Sequence, residues 1–183
     1  EKYRYRPFHV VAPEFVDDHR SAVGTVDALT RSDATLHAPF AAVEVDVERA
    51  DGVLVAGLST SDGDRVVATY APTRRSVSIE IRAGGRTSVV RRATVDLPET
   101  FTLGFALCEN QVTVLAKTDE WRPLLTERDK VSALVDLRDS ATLGRYSYTW
   151  GVRSGSGSLA DVRAGVFGMT GLRDPHLVQH ADG

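Results

Sequence analysis

Hydrophobic and polar residues alternate along much of this chain, and the alternation is clearest between positions 41 and 83. In the segment AAVEVDVERA, Val43, Val45 and Val47 are separated by acidic residues. Successive side chains of a β-strand point to opposite faces, so this pattern predicts a strand with one apolar and one polar face. Three more such segments follow, and the turns between them contain Gly, Asp or Pro. The stretch therefore predicts four antiparallel strands.

The same pattern recurs on both sides of this stretch. One region, Thr126 to Asp139, fits either a short helix or a further strand. Pro123 predicts an edge or a bulge in its own strand. The other predicted strands are FHVVA, AVGTVDALT, ATLHA, RTSVVRR, TFTLGFALC, QVTVLAKT, WRPLLT, GRYSYTWG and LADVRAG. About a dozen short strands at spacings of about 8–12 residues indicate an all-β protein with two antiparallel sheets.

The order of these strands resembles the concanavalin A-like jelly roll, from the VEVDVE and VLVAGLST segments to LADVRAG. The resemblance covers about Ala41 to Gly165 and implies one β-sandwich domain over residues 1–165. Proteins with this fold have unrelated activities, so the fold alone predicts no function.

Composition narrows the class of protein. The chain has 183 residues, of which 42% are hydrophobic and 26% charged, as is typical of soluble globular proteins. No apolar run approaches the roughly 20 residues that a membrane-spanning helix needs. A net charge of −3 gives no reason to expect a nucleic-acid or membrane partner. The composition leaves both a secreted and a cytoplasmic location open.

The single cysteine, Cys108, excludes an internal disulfide. It lies in an alternating apolar run, which favours a small buried side chain over a nucleophile. The chain begins at Glu1 without an initiator methionine, which indicates either a removed leader or a trimmed start.

The segment GRYSYTWG places three aromatic residues on one side of a predicted strand. Tyr146, Tyr148 and Trp150 alternate with Arg145, Ser147 and Thr149. At strand rise the three aromatics form a stripe about 13 Å long, which suits stacking against sugar rings. A stripe of core residues is the other interpretation, and the more common one.

The turn Asp62-Gly63-Asp64 suggests calcium, which takes six or more oxygen ligands. Nothing nearby in the sequence supplies the remaining oxygens, so a plain hairpin turn is favoured. No cofactor is predicted, with calcium as the weak alternative.

The last segment, GVFGMTGLRDPHLVQHADG, has a different character because it is Gly-rich and then contains Arg-Asp-Pro-His, a short apolar run and an Ala-Asp-Gly turn. It resembles the start of the first blade in five-bladed β-propeller glycosidases such as glycoside hydrolase family 43. The resemblance implies that residues 166–183 are a first-blade segment and that Asp174 is a general base. It also implies that Arg173 and His176 contact substrate hydroxyls.

Such enzymes need a second carboxyl group across the scissile bond. The later blades that carry the other carboxylates in this family do not follow in the chain. The resemblance therefore implies a second polypeptide that continues after Gly183, completes the propeller and shares the active site.

Four hypotheses of function follow. The first is the sandwich chain of a glycoside-hydrolase-like propeller protein, in a heterodimer acting on carbohydrate or a related small molecule. The second is the α-subunit of a self-processed hydrolase, cleaved after Gly183, whose partner begins with a Thr, Ser or Cys nucleophile. The third is a non-catalytic sugar-binding module that uses the aromatic stripe, and the fourth is a purely structural sandwich.

Overall fold

The computed structural model describes residues 10–11 and 19–167. Within these residues the chain forms thirteen strands and only short helical segments. The strands are β1 (His19–Ala22), β2 (Thr25–Val26), β3 (Leu29–Thr35), β4 (Phe40–Ala50), β5 (Val53–Thr60), β6 (Arg65–Ala71), β7 (Ser76–Ala83), β8 (Arg86–Thr94), β9 (Phe101–Cys108), β10 (Gln111–Lys117), β11 (Trp121–Glu127), β12 (Tyr146–Arg153) and β13 (Gly157–Val166). A 3₁₀ turn spans Pro72–Arg74, and the α-helices are α1 (Asp129–Ser132) and α2 (Ser140–Leu143).

The strands form two antiparallel sheets. The first, of seven strands, has the order β1-β13-β4-β9-β10-β11, with β2 also paired to β13. The second, of six strands, has the order β3-β12-β5-β6-β7-β8. The prediction of an all-β protein with two antiparallel sheets is confirmed.

The four strands predicted between positions 41 and 83 are present, but they are divided between the sheets. β4 belongs to the seven-stranded sheet, whereas β5, β6 and β7 are consecutive in the six-stranded sheet. The chain changes sheets at Asp51-Gly52, whose amides both bond to the Ser156 carbonyl at 2.8 Å. A Cβ on Gly52 would lie 2.8 Å from the backbone of Gly155, so only glycine permits this close approach of two chain segments.

Early and late strands of the chain pair with each other in both sheets. β13 lies between β1 and β4, and β12 lies between β3 and β5. β12 pairs with β5 without interruption from Tyr146 opposite Thr60 to Arg153 opposite Val53. These non-local ladders satisfy the backbone groups of both sheets and close the sandwich.

The main core lies between the two sheets. It consists of apolar side chains that alternate along the strands, with Phe105, Leu54, Ile79 and Trp150 among the largest that are fully buried. The alternation that predicts the strands thus also determines which side chains are buried.

The segment between β11 and β12 is helical in part. The alternative of a short helix is confirmed for Asp129–Ser132, which forms α1. Buried Asn110 holds the rest of the segment, because it accepts the Leu137 amide at 2.7 Å and donates to Asp136 at 2.8 Å. The Asp139 side chain caps α2 by accepting the Thr142 amide at 2.8 Å. None of the helices in the described ranges is long and apolar enough to cross a membrane.

Pro123 fits its predicted position. It lies in β11, an edge strand of the seven-stranded sheet, and the register of β10 and β11 shifts between Val114 and Leu115, opposite this part of β11. Proline cannot donate to a strand ladder, which is why it is confined to such places.

A second, smaller apolar cluster lies on the outer side of the seven-stranded sheet. Val10 and Val11 pack there on side chains of β4, β9 and β10. Beside this cluster, Glu44 accepts the Val11 amide at 2.8 Å and lies 3.5 Å from Arg163. Burial raises the pKa of Glu44 above its usual value, and this effect outweighs the Val11 bond and the charge of Arg163, which lower it.

A raised carboxyl pKa makes a defined contribution to the pH dependence of stability. Between the ordinary pKa of 4.5 and the raised one, the folded protein binds more protons at Glu44 than the unfolded chain does. The free energy of unfolding therefore falls as pH rises through this interval. We expect Glu44→Gln to remove this fall, so that the variant gains stability relative to the wild type from pH 4.5 upward.

The measurement is urea unfolding at a series of pH values, with Glu48→Gln, an exposed position on the same strand, as the control for loss of a carboxylate. A Glu44→Gln variant with the same pH dependence as the wild type would contradict the prediction.

Candidate functional site

The aromatic stripe of β12 lies inside the sandwich. Tyr146, Tyr148 and Trp150 are only 2%, 4% and 2% exposed and belong to the main core. Burial, together with nearby Asp64, raises the pKa of Tyr146 to about 12. The proposal of a sugar-stacking platform at these three residues is therefore corrected: they are core residues, as the alternative interpretation held.

The opposite side of the same strand belongs to a polar surface. We call the outward side of the six-stranded sheet the polar face. The cross-strand register brings its central side chains together: Ser147, Thr149 and Arg153 of β12, Val55, Gly57 and Ser59 of β5, Arg65, Val67 and Thr69 of β6, and Ser78, Glu80 and Arg82 of β7. Hydroxyl groups and guanidinium groups predominate among them.

Several polar side chains of this face are buried although they point away from the core. Ser147, Thr149, Thr69, Ser78 and Glu80 are all at most 7% exposed. The hydroxyls of Thr69 and Ser78 are 2.7 Å apart across the β6–β7 ladder. The Thr149 hydroxyl donates to the Thr30 carbonyl at 2.7 Å. Outward polar groups this well covered form an ordered layer above the sheet, unlike a solvated sheet face.

An ion pair spans the polar face. The two terminal nitrogens of Arg153 lie 3.0 and 3.1 Å from the two carboxylate oxygens of Glu80, which is the bidentate geometry of a strong pair. These residues stand on β12 and β7, with β5 and β6 between them. At the usual strand spacing this is a distance of about 14 Å. The pair therefore lies across the two middle strands, whose outward Val55 and Val67 are buried.

A groove opens beside this pair, between β3, β12, β5 and β6. Its volume is about 220 Å³. Its lining combines hydroxyl groups, two guanidinium groups and one apolar side chain, from Leu29, Thr30, Arg31, Ser59, Thr60, Gly63, Arg65 and Thr149. Arg31 is held by donating to the Ser147 hydroxyl at 3.1 Å. A groove of this kind is suited to bind a small polar ring through several directed hydrogen bonds.

Gly57 lies at the middle of the polar face, opposite Thr149 and Val67. Its φ is +154°, and a Cβ there would be 2.5 Å from the Val66 carbonyl oxygen. Only glycine fits this conformation, so the sheet has no side chain between Thr149 and Val67.

The turn at Asp62 closes one end of the groove. Thr60 donates its hydroxyl to the Asp62 carboxylate, and Arg145 donates to the same carboxylate at 2.8 Å. The Thr60 bond is the main cause of the lowered pKa of Asp62. Within the described ranges, no three His, Cys, Asp or Glu side chains are grouped so that they could hold a metal ion. The aspartates of this turn thus have the contacts that are expected of a plain hairpin turn.

The remaining predicted site residues lie elsewhere. Arg173, Asp174, His176 and the proposed processing site Gly183 are outside the described residues. Cys108 is half-buried and free, at the end of β9, whereas its alternating run predicts a buried side chain.

Comparisons with known proteins agree with the fold. No protein-family profile matches the sequence, and no curated protein matches it. In structure the chain is similar to Caenorhabditis elegans galectin LEC-6, with a TM-score of 0.56 and 9% identity over 79% of this chain and 94% of the galectin. It is also similar to carbohydrate-binding module CBM66 from Bacillus subtilis, with a TM-score of 0.50 and 13% identity over 87% of this chain and 90% of the module.

A third similar structure is the xylan β-1,4-xylosidase from Bacillus halodurans C-125, with a TM-score of 0.51 and 14% identity. The match covers 76% of this chain but only 30% of the xylosidase. At these identities the comparisons show the fold alone. The chain is a jelly-roll β-sandwich, as the resemblance to concanavalin A-like proteins predicts.

The groove and its arginines were missed by the sequence analysis. A signal was present, because Ser78, Glu80 and Arg82 alternate with core residues in the same way as Ser147 and Thr149. The sequence does not show that β7 and β12 belong to one sheet. It therefore does not show that their polar sides form one surface.

The core position of Trp150 leads to a test. Replacing a fully buried tryptophan by alanine leaves a large cavity, so we expect Trp150→Ala to lower the free energy of unfolding by about 3–5 kcal/mol. Chemical denaturation measures this loss. Thr149→Ser, on the outward side of the same strand, keeps a hydroxyl and is the control. A stable Trp150→Ala variant that lost only ligand binding would contradict the core assignment.

Proposed function

We propose that this sandwich binds carbohydrate in the groove of the polar face. The observation that carries the proposal is the ordered layer of hydroxyl and guanidinium groups on the outward side of the six-stranded sheet. The similar structures support it, because they include a carbohydrate-binding module and a xylosidase.

The groove has the chemistry that sugar hydroxyls require. A sugar hydroxyl both donates and accepts, and serine and threonine hydroxyls do the same, whereas guanidinium groups only donate. Ser59 supplies a hydroxyl of the first kind, and Arg31 and Arg65 supply donors. The proton of the Thr149 hydroxyl is already donated to the Thr30 carbonyl, so this hydroxyl is left only as an acceptor. Leu29, which is 39% exposed, offers an apolar edge for the C–H side of a sugar ring.

Filling the groove tests this proposal. Ser59 is outward and half-buried, between Ser147 and Arg65 in the register. An indole at this position occupies the groove, so we expect Ser59→Trp to weaken glycan binding at least about tenfold, which corresponds to about 1.4 kcal/mol. The measurement is a glycan array followed by calorimetry on the best ligand.

The matched control is Thr113→Trp. Thr113 is half-buried and outward on β10 of the other sheet, where its hydroxyl lies 3.1 Å from that of Thr126. This variant carries the same added side chain on the opposite surface of the molecule. If both tryptophan variants bind as the wild type does, or if no glycan binds to the wild type, the groove is not a carbohydrate site.

We also propose, as a second candidate, that the sandwich is part of a larger glycoside-hydrolase-like protein. The support is the match to the xylosidase, in which a domain of this fold is 30% of a longer chain. In this hypothesis Asp174 is the general base, Arg173 and His176 contact the substrate, and a second polypeptide provides the general acid.

The test uses this chain together with its co-purifying partner. We expect Asp174→Asn to lower the rate of glycoside hydrolysis about 10²–10⁴-fold, the usual contribution of a general base. Asp119→Asn, at an exposed position between β10 and β11, is the control for loss of a carboxylate. Absence of a partner chain, or full activity of the Asp174 variant, would contradict this candidate.

A further inference from the structure

Three arginines of the polar face surround a single acid. Arg65, Arg82 and Arg153 are outward on β6, β7 and β12, and Glu80 lies among them. Glu80 is committed to Arg153 by both of its carboxylate oxygens. Within residues 19–167, neither Arg65 nor Arg82 has an ion pair. The group therefore carries more positive than negative charge, in a chain whose net charge is −3.

Arg65 is the member of this group that lines the groove. Its Nε atom is buried and has no hydrogen-bond partner within the described part of the chain. A buried donor without an acceptor is unfavourable, because it loses its hydrogen bonds to water and gains none within the protein. Burial, and after it the charge of Arg153, holds the pKa of Arg65 below its ordinary value, although an arginine with a lowered pKa remains charged at neutral pH.

An oxyanion in the groove provides Arg65 with an acceptor and a negative charge. A guanidinium has a planar fork of N–H donors that matches a carboxylate or sulfate with two parallel bonds. A neutral sugar provides acceptors but no charge, and it leaves the repulsion between Arg65 and Arg153 in place. Arg31 on the other side of the groove adds a further cation.

We propose that the groove selects sugars that carry an oxyanion, a uronic-acid carboxylate or a sulfate, with the anionic group on Arg65 and the ring hydroxyls on Ser59 and Arg31. The inference rests on the proposed carbohydrate binding at the same groove. None of the described residues that line the groove is aromatic, so they offer no surface on which a nucleic-acid base could stack, which favours a glycan over a nucleic acid.

The test compares ligands that differ only in charge. Polygalacturonate is compared with its carboxyl-reduced, neutral form, and a sulfated galactan with its desulfated form, by affinity electrophoresis and calorimetry on the full chain. We expect each charged polymer that binds to do so at least about tenfold more tightly than its neutral counterpart. The preference should weaken as salt is added.

Two variants locate the charge preference. Arg65→Gln should remove most of the preference for the charged polymer, whereas Arg122→Gln, at an exposed arginine of β11 in the other sheet, should leave it unchanged. Arg65→Gln relieves like-charge repulsion, so we expect it to fold with at least the stability of the wild type in chemical denaturation. Arg65→Lys keeps the charge without the fork and should retain part of the preference.

The outcomes separate this inference from the proposed function. Preference for the uronate, the sulfate or both supports the inference and identifies the source of the anion. Equal binding of charged and neutral polymers overturns the inference but leaves carbohydrate binding standing. Binding of no glycan overturns both, as does equal or tighter binding of a single-stranded oligonucleotide.

Discussion

The pairing of β12 between β3 and β5 is the constraint on which both the core and the groove depend. One side of β12 places Trp150 and two tyrosines in the core, and the other side places Ser147, Thr149 and Arg153 on the polar face. A slip of one residue in this register would reverse the two sides, exposing the aromatics and burying an arginine. Burial of the aromatic side fixes the register of the eight-residue ladder with β5, because a slipped ladder would expose Trp150 and both tyrosines.

The same strand connects distant parts of the chain. β3 and β5 come early and β12 comes late, so the groove forms only when residues about 120 positions apart pair, as Arg31 and Thr149 do. Contacts of such high sequence separation are entropically costly to form. The groove is therefore a product of the complete sheet and belongs to no local motif.

The ion pair of Arg153 and Glu80 is better explained by the position it imposes than by the stability it adds. Partly buried pairs lose much of their attraction to the cost of removing charges from water. This pair also lies next to Arg65, whose charge opposes that of Arg153. The pair does fix a long side chain across β5 and β6, the strands that separate Arg153 from Glu80.

Much of the fold could be predicted from the alternation of residue types, because burial of alternate side chains is a local property of a strand. The strands between positions 41 and 83, the jelly-roll class and the bulge near Pro123 are all of this kind. The division of the strands between the two sheets is not a local property of any strand. It depends on Gly52, where two chain segments approach so closely that no side chain fits.

The site was harder to predict for a different reason. The aromatic residues of β12 stood out because their chemistry is distinctive, yet the same property makes them the best core residues. The residues of the groove are individually ordinary. They can be recognised as a site only when β5, β6 and β12 are known to be neighbours, because these strands carry Ser59, Arg65 and Thr149. Only the tertiary structure shows that these strands pair.

Net charge illustrates the same limit in electrostatic terms. A value of −3 gives no reason to expect an anionic partner, but it averages over surfaces that differ in sign. The outward side of β4 carries Glu44, Asp46 and Glu48 on the seven-stranded sheet, whereas the central strands of the six-stranded sheet present arginines. Charges on opposite faces of a sandwich are separated by more than a Debye length of about 8 Å at physiological salt, so a ligand at one face responds mainly to that face. Arg31 and Arg65 thus place positive charge in the lining of the groove, although the whole chain is negative.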